Sequence, residues 1–165
     1  MSKIMNVLYI CSGNTCRSPF AEAFSKWLQK TIYVNEIQEL NFDSAGIYHY
    51  YEQAQEGTLK YLKAKGIEMD DFVAKDVDEE LLNNQDLILV FEEKYHIRKL
   101  KRKFKNLRNL DEKMFLLLDF AGETEDLEIM DPFYLDEIEY NKTLKRIESG
   151  IIKSIEKIIE INKSV

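Results

Sequence analysis

The sequence predicts an α/β protein built on a parallel sheet with helices packed on both faces. Asp86-Leu-Ile-Leu-Val-Phe91 and Met114-Phe-Leu-Leu-Leu118 are continuous apolar runs. Such runs fit strands covered on both faces, whereas a half-exposed strand alternates apolar and polar residues. Strand-like segments also alternate with stretches of helical periodicity, the order that gives parallel strands joined by crossover helices.

The first element is Val7-Leu8-Tyr9-Ile10, an apolar run that stops at a small, polar turn. Pro19 then opens a segment carrying Phe20, Ala23, Phe24, Trp27 and Leu28 at helical spacing. Ser18 followed by Pro19 reads as an N-cap and first helical position, because proline lacks only an N–H that is unpaired there anyway. Leu40 to Ser44 is a second, weaker strand. Gly57 to Lys65 carries Leu59 and Leu62 on a helix closed by Gly66 as a left-handed cap. After the Asp86 strand, His96 to Lys105 forms a basic helix with Ile97, Leu100 and Phe104 on its apolar side, and the Met114 strand follows. The last element is a long helix, roughly Asp136 to Ile161, with Leu144, Ile147, Ile151, Ile155 and Ile158 on one side. Gly150 inside it costs about 1 kcal/mol relative to alanine, which a packed apolar stripe absorbs.

A chain of 165 residues buries a core without covalent staples, so one domain spanning 1–165 is expected. No apolar run approaches the roughly 20 residues needed to cross a bilayer, and Met1 to Met5 is too short and too polar for a signal peptide. The expected location is therefore the cytoplasm, with no membrane partner. Cys11 and Cys16 are the two cysteines, neither a disulfide framework nor enough ligands for structural zinc, and they suggest chemistry in a reducing compartment. The net charge of −7 argues against nucleic-acid binding, so any anionic ligand must be held locally. The basic helix reads either as a docking surface for acidic partners or as a solvated face. Its helical apolar spacing favours the solvated face.

Cys11-Ser-Gly-Asn-Thr-Cys-Arg-Ser18 lies between a strand end and a helix start, where free N–H groups and the helix dipole favour an anion. Gly13 and Asn14 tolerate the positive φ that lets successive N–H groups point inward as a phosphate-sized nest. Arg17, six residues after Cys11, can fold back as a planar fork for two phosphate oxygens. Cys11 then sits beneath the bound phosphorus as a nucleophile, in surroundings of the kind that favour the attacking thiolate. Ser18 is placed to donate to that sulfur, a role compatible with capping. Cys16 either packs or traps an oxidised Cys11 as a reversible disulfide. A nucleotide-binding loop would end Gly-Lys-Ser/Thr, and a thioredoxin-type pair would be two residues closer, so neither fits.

Val7 to Glu22, with the loop at its centre, closely resembles the signature of low-molecular-weight protein tyrosine phosphatases. Asp131-Pro132-Phe133 resembles the family's acid loop, and weaker similarity covers Asp43 to Gly46, Asp86 to Phe91, and the Tyr140 and Thr143 pair. The resemblance implies a three-layer fold with a four-stranded parallel sheet in order 2-1-3-4, and no metal or cofactor. It implies Cys11 as nucleophile, Arg17 as phosphate clamp and Asp131 as general acid and base. Ser12, Gly13, Asn14, Thr15 and Cys16 then form the phosphate-binding loop, supported by Ser18 and Ser44. Phe72 aligns loosely where many members place a histidine in the supporting network. Independently of the family, Pro132 fixes the chain after Asp131 and gives this carboxylate, among Glu123, Glu125, Asp126 and Glu128, a pre-set backbone.

The function implied is a protein phosphatase acting on phosphotyrosine through a cysteinyl-phosphate, with phosphorylated proteins or peptides as partners. A monomer is expected, with a weak dimer as the alternative. The competing substrate is phosphoarginine, because the loop Gly13 to Arg17 also resembles the family's arginine branch and Ser12 stands where that branch has threonine. Tyr50 aligns with an aromatic that walls the cleft in tyrosine-specific members, and Phe133 and Tyr134 can add faces for stacking a phenyl ring. A thiol-coupled arsenate reductase needs a further cysteine pair, which the chain lacks. A non-catalytic phosphate-binding module would be expected to lack the thiol, the arginine or the acid.

Overall fold

The structure, a computed structural model, describes residues 1–165. The chain runs β1 (Asn6–Cys11), α1 (Arg17–Thr31), β2 (Asn41–Gly46), α2 (Glu56–Ala64), α3 (Glu79–Asn83) and β3 (Leu87–Val90). A single π-helical turn, Glu93–Ile97, leads into α4 (Arg98–Lys103), followed by α5 (Leu110–Lys113), β4 (Met114–Leu116), α6 (Leu117–Phe120) and α7 (Glu137–Lys163). The four strands are all parallel, in the order β2-β1-β3-β4.

The period of two along β1 builds the three layers. Val7, Tyr9 and Cys11 face a large apolar cluster with Phe20, Phe24 and Leu28 of α1, Leu62 of α2 and the isoleucine stripe of α7. Leu8 and Ile10 face a smaller cluster with Leu82 of α3, Leu100 of α4, Phe104 and Leu110. Helices therefore cover both faces, and β1 and β3 are buried and apolar on each. Leu144, Ile147, Ile151, Ile155 and Ile158 are all buried. Asp136 caps α7 by accepting from the Glu139 amide at 2.9 Å. Gly66 has φ +79°, the left-handed closure expected after α2.

Several expectations are corrected. The Met114 to Leu118 run is a strand only to Leu116, and Leu117 and Leu118 turn into α6. A Cβ on Gly150 would lie 2.9 Å from Leu118 Cδ2 and 3.1 Å from Leu117 Cγ, so this glycine lets α7 approach α6 closely. Leu59 lies on the exposed side of α2, and only Leu62 enters the core. Helix α1 starts at Arg17 with Cys16 at its N-cap, so Ser18 does not cap it. Pro19 still falls in the first turn, where its missing N–H is harmless.

Candidate active site

Chain geometry turns the segment after β1 into an anion cradle. The carbonyls of Cys11, Ser12, Thr15 and Cys16 are taken by the amides of Ile47 (3.1 Å), Tyr48 (3.0 Å), Gln55 (2.7 Å) and Phe20 (3.0 Å). The amides of Ser12, Gly13, Asn14, Thr15 and Cys16 donate to no group of the protein. A run of free N–H groups at a helix N-terminus is a nest for an oxyanion. The required left-handed residue is Asn14, at φ 55°; Gly13 is not in the positive-φ region, contrary to expectation. Gly46, at the end of β2, is where the loop is approached from behind. A Cβ there would lie 2.9 Å from Asn14 N and from Gly13 C.

A chain of hydrogen bonds leads to Cys11. Asn14 Nδ2 donates to Ser18 Oγ at 2.8 Å and to Ser44 Oγ at 3.0 Å, while Asn14 Oδ1 accepts from the Lys75 amide at 3.1 Å. Ser44 in turn donates to Glu22 Oε1 at 2.6 Å. Ser18 Oγ, already accepting from Asn14, lies 3.0 Å from Cys11 Sγ and 3.3 Å from the Ala45 carbonyl. Its single proton favours the sulfur when that sulfur is charged. Phe72 takes no part in this network, and the end of the chain is carried instead by Glu22, which also pairs with Lys26.

Arg17 is 1 % exposed, and its orientation is set by residues distant in sequence. Nη1 donates to Glu92 Oε2 and to the Ile129 carbonyl, both at 2.7 Å. Nε is buried without a partner, which leaves that edge of the guanidinium available to an oxyanion. Burial opposes the charge of Arg17, but Cys11, Glu92 and Asp131 outweigh it and hold the guanidinium above its ordinary pKa. Ile129 also donates its amide to the Phe91 carbonyl at 2.9 Å, so the segment just before Asp131 is tied to the residue that follows β3 and to Arg17. Asp131 is exposed, and its Oδ1 accepts from the Phe133 amide at 3.1 Å, an Asx turn rigidified by the buried Pro132.

Above the loop lies a cleft of about 900 Å³. Its lining includes Ser12, Gly13 and Thr15, the tyrosines Tyr48, Tyr50 and Tyr51, and Asp131, Phe133 and Tyr134. The structure thus brings the expected aromatics to the same opening as Asp131. Tyr50 and Tyr134 are strongly exposed, and Phe133 meets Tyr134 edge-on at 4.7 Å. Cys16 is buried beneath. Its Sγ lies 3.0 Å from the Tyr140 hydroxyl, and burial pushes its thiol up to about 12, so it stays protonated.

Sequence reasoning missed Glu22, Glu92 and His96 as parts of the site. His96 is buried at the heart of the basic stretch. Its Nδ1 accepts from the amides of Phe91 (3.1 Å) and Glu92 (3.0 Å), which fixes the proton on Nε2, 3.1 Å from Ser12 Oγ. Burial and the nearby charges of Arg17 and Lys99 lower its pKa to about 2, so the ring is neutral. One signal was available: Glu92 follows a strand buried on both faces, at the carboxyl edge where parallel sheets place their sites. No group of three or more His, Cys, Asp or Glu side chains is placed to hold a metal ion.

Comparison with known proteins agrees with this geometry. The family model described as low molecular weight phosphotyrosine protein phosphatase matches residues 6–164. The chain is 30% identical over 161 residues to the low molecular weight protein-tyrosine-phosphatase YfkJ of Bacillus subtilis, covering 93% of this chain and 97% of that protein. The crystal structure of YfkJ superposes with a TM-score of 0.83 at 26% identity, covering 96% of this chain and 97% of that one. The YwlE arginine phosphatase of Geobacillus stearothermophilus gives a TM-score of 0.83 at 25% identity, over 97% of this chain and 96% of that one. The chain therefore belongs to the low molecular weight phosphotyrosine protein phosphatase family.

Proposed function

We propose that the chain, as a single phosphatase domain over 1–165, hydrolyses phosphotyrosine in proteins or peptides through a phosphate carried on Cys11. The observation that carries this reading is the set of unpaired amides from Ser12 to Cys16 around Cys11, completed by the partnerless Nε of Arg17. A phosphoryl group bound there satisfies these donors, and the same donors stabilise the charge that spreads over its equatorial oxygens in the transition state.

In the first step the Cys11 thiolate attacks phosphorus, the S–P bond forms and the P–O bond to the tyrosyl oxygen breaks. Asp131, in its acid form, gives the departing oxygen a proton. In the second step Asp131, now a carboxylate, takes a proton from a water whose oxygen attacks phosphorus. The S–P bond breaks, inorganic phosphate leaves, and the Ser18 hydroxyl, 3.0 Å from Sγ, stabilises the returning thiolate. The cleft aromatics Tyr50, Phe133 and Tyr134 supply faces for the phenyl ring. Both thiols are free, which fits the cytoplasm as the place of action.

A second reading, phosphoarginine, is favoured by Ser12 in the cleft and by the likeness to an arginine phosphatase. Measuring kcat/KM on matched phosphotyrosine, phosphoarginine and phosphoserine peptides, with native protein and Cys11→Ser, separates the readings. Preference for phosphotyrosine that vanishes with Cys11→Ser is expected. A clear preference for phosphoarginine that falls with Ser12→Ile would overturn the substrate assignment, and full turnover by Cys11→Ser would overturn the mechanism.

A further inference from the structure

We propose that the basic surface from Lys94 to Arg108 docks acidic residues flanking the phosphorylated side chain of the protein substrate. This rests on the phosphatase reading above and adds the sequence context that the enzyme selects. From Lys94 to Leu110 the chain carries eight Lys and Arg residues and no Asp or Glu, in a protein whose net charge is −7. The fold needs only the buried side of this stretch, His96, Leu100 and Phe104, while the basic side chains are exposed. Ion pairing accounts for little of the charge. Arg98 meets Glu93 at 3.9 Å and Lys101 meets Asp111 at 2.9 Å, whereas Lys94, Lys99, Arg102 and Lys105 have no carboxylate partner.

The surface is continuous with the cleft. Lys103 Nζ donates to the Ile47 carbonyl at 3.2 Å, and Ile47 and Tyr48 are the residues whose amides hold the Cys11 and Ser12 carbonyls. His96, at the other end of the stretch, touches Ser12 on the cleft lining. The cleft lining itself contains Glu52, Glu56 and Asp131 but no Lys or Arg. A substrate's acidic residues are therefore repelled by the lining and attracted to the adjoining basic face, so charge gives the bound chain a direction. Single exposed pairs are weak, so the effect is collective and acts mainly on encounter, falling as salt screens it.

The test compares matched phosphotyrosine peptides with acidic, neutral or basic flanks, alongside a small aryl phosphate, at low and high salt. The enzymes are the native protein, Arg102→Glu/Lys105→Glu, and a control with the same charge change on α7, Lys145→Glu/Lys157→Glu. Native enzyme should favour the acid-flanked peptide by about tenfold in kcat/KM at low salt, with the gap closing at high salt. The Arg102→Glu/Lys105→Glu variant should lose that preference while retaining native aryl phosphate turnover, and the control should keep both. Equal kcat/KM on all flanks, or a preference that both variants retain, would overturn docking while leaving the phosphatase reading standing. Loss of binding to anionic lipid vesicles in the double variant with no change on peptides would also overturn it. Failure of native enzyme to hydrolyse the aryl phosphate would overturn the phosphatase reading and docking together.

Discussion

His96 is buried among groups that forbid it a charge, and both of its ring nitrogens are committed. In the unfolded chain the same imidazole titrates near its ordinary value of about 6.5. Because the folded value is about 2, the unfolded chain binds the extra proton between the two. The stabilisation from keeping His96 neutral is thus complete above about pH 6.5 and is lost as pH falls toward 2. By pH 5 the loss amounts to about 2 kcal/mol. Urea unfolding of native protein and His96→Asn at pH 7 and pH 5 should show the native protein losing about 2 kcal/mol more than the variant over that interval. Equal losses would mean that His96 titrates freely in the folded state. Nothing in the sequence marks this residue, because it stands in a run of charges whose helical spacing reads as a solvated surface. Arg17 was legible from its distance to Cys11, but its partners Glu92 and Ile129 lie 75 and 112 residues away and emerge only from the topology.

At the level of elements, the apolar runs and helical spacings locate every strand and the long helix, whereas the short helices α3 and α5, too brief to show a period, and several element ends escape them. A short apolar run does not distinguish a strand from a buried helical turn, so the pattern predicts strand at Leu117 and Leu118, which form α6. Ser18 was read as a cap because its type and place suit one, but the network from Glu22 through Ser44 and Asn14 engages its hydroxyl. The end of β2 shapes the nest from behind, and Gly46 is the residue that permits this. With backbone atoms of Gly13 and Asn14 at 2.9 Å, a methyl group can be admitted only by moving the loop. Gly46→Ala should lower kcat/KM on a small aryl phosphate by about 10²-fold, the scale of an ångström-level misplacement of reacting groups. It should also cost about 1–3 kcal/mol in denaturant unfolding. Native activity in this variant would show that the loop's position is not set by β2.

For the whole molecule, the order β2-β1-β3-β4 places the end of β1 between β2 and β3, where connections leave to opposite faces of the sheet and open a crevice at its carboxyl edge. The nest follows β1, Gly46 ends β2 and the tyrosine segment follows it, and Glu92 and His96 follow β3. The acid loop is then held against this group through Ile129. Layer order and the nest were legible because they depend on local patterns. The convergence of four chain segments on Cys11 was not, since it follows from crossovers that no short window records. The most direct measurement of the proposed chemistry mixes enzyme with a phosphotyrosine peptide, quenches in alkali during the first turnover, and maps covalent phosphate by mass spectrometry. Phosphate confined to Cys11, and lost in Cys11→Ser, is the expected result. Turnover with no phosphate on Cys11, or with phosphate on His96 or any other side chain, would contradict it.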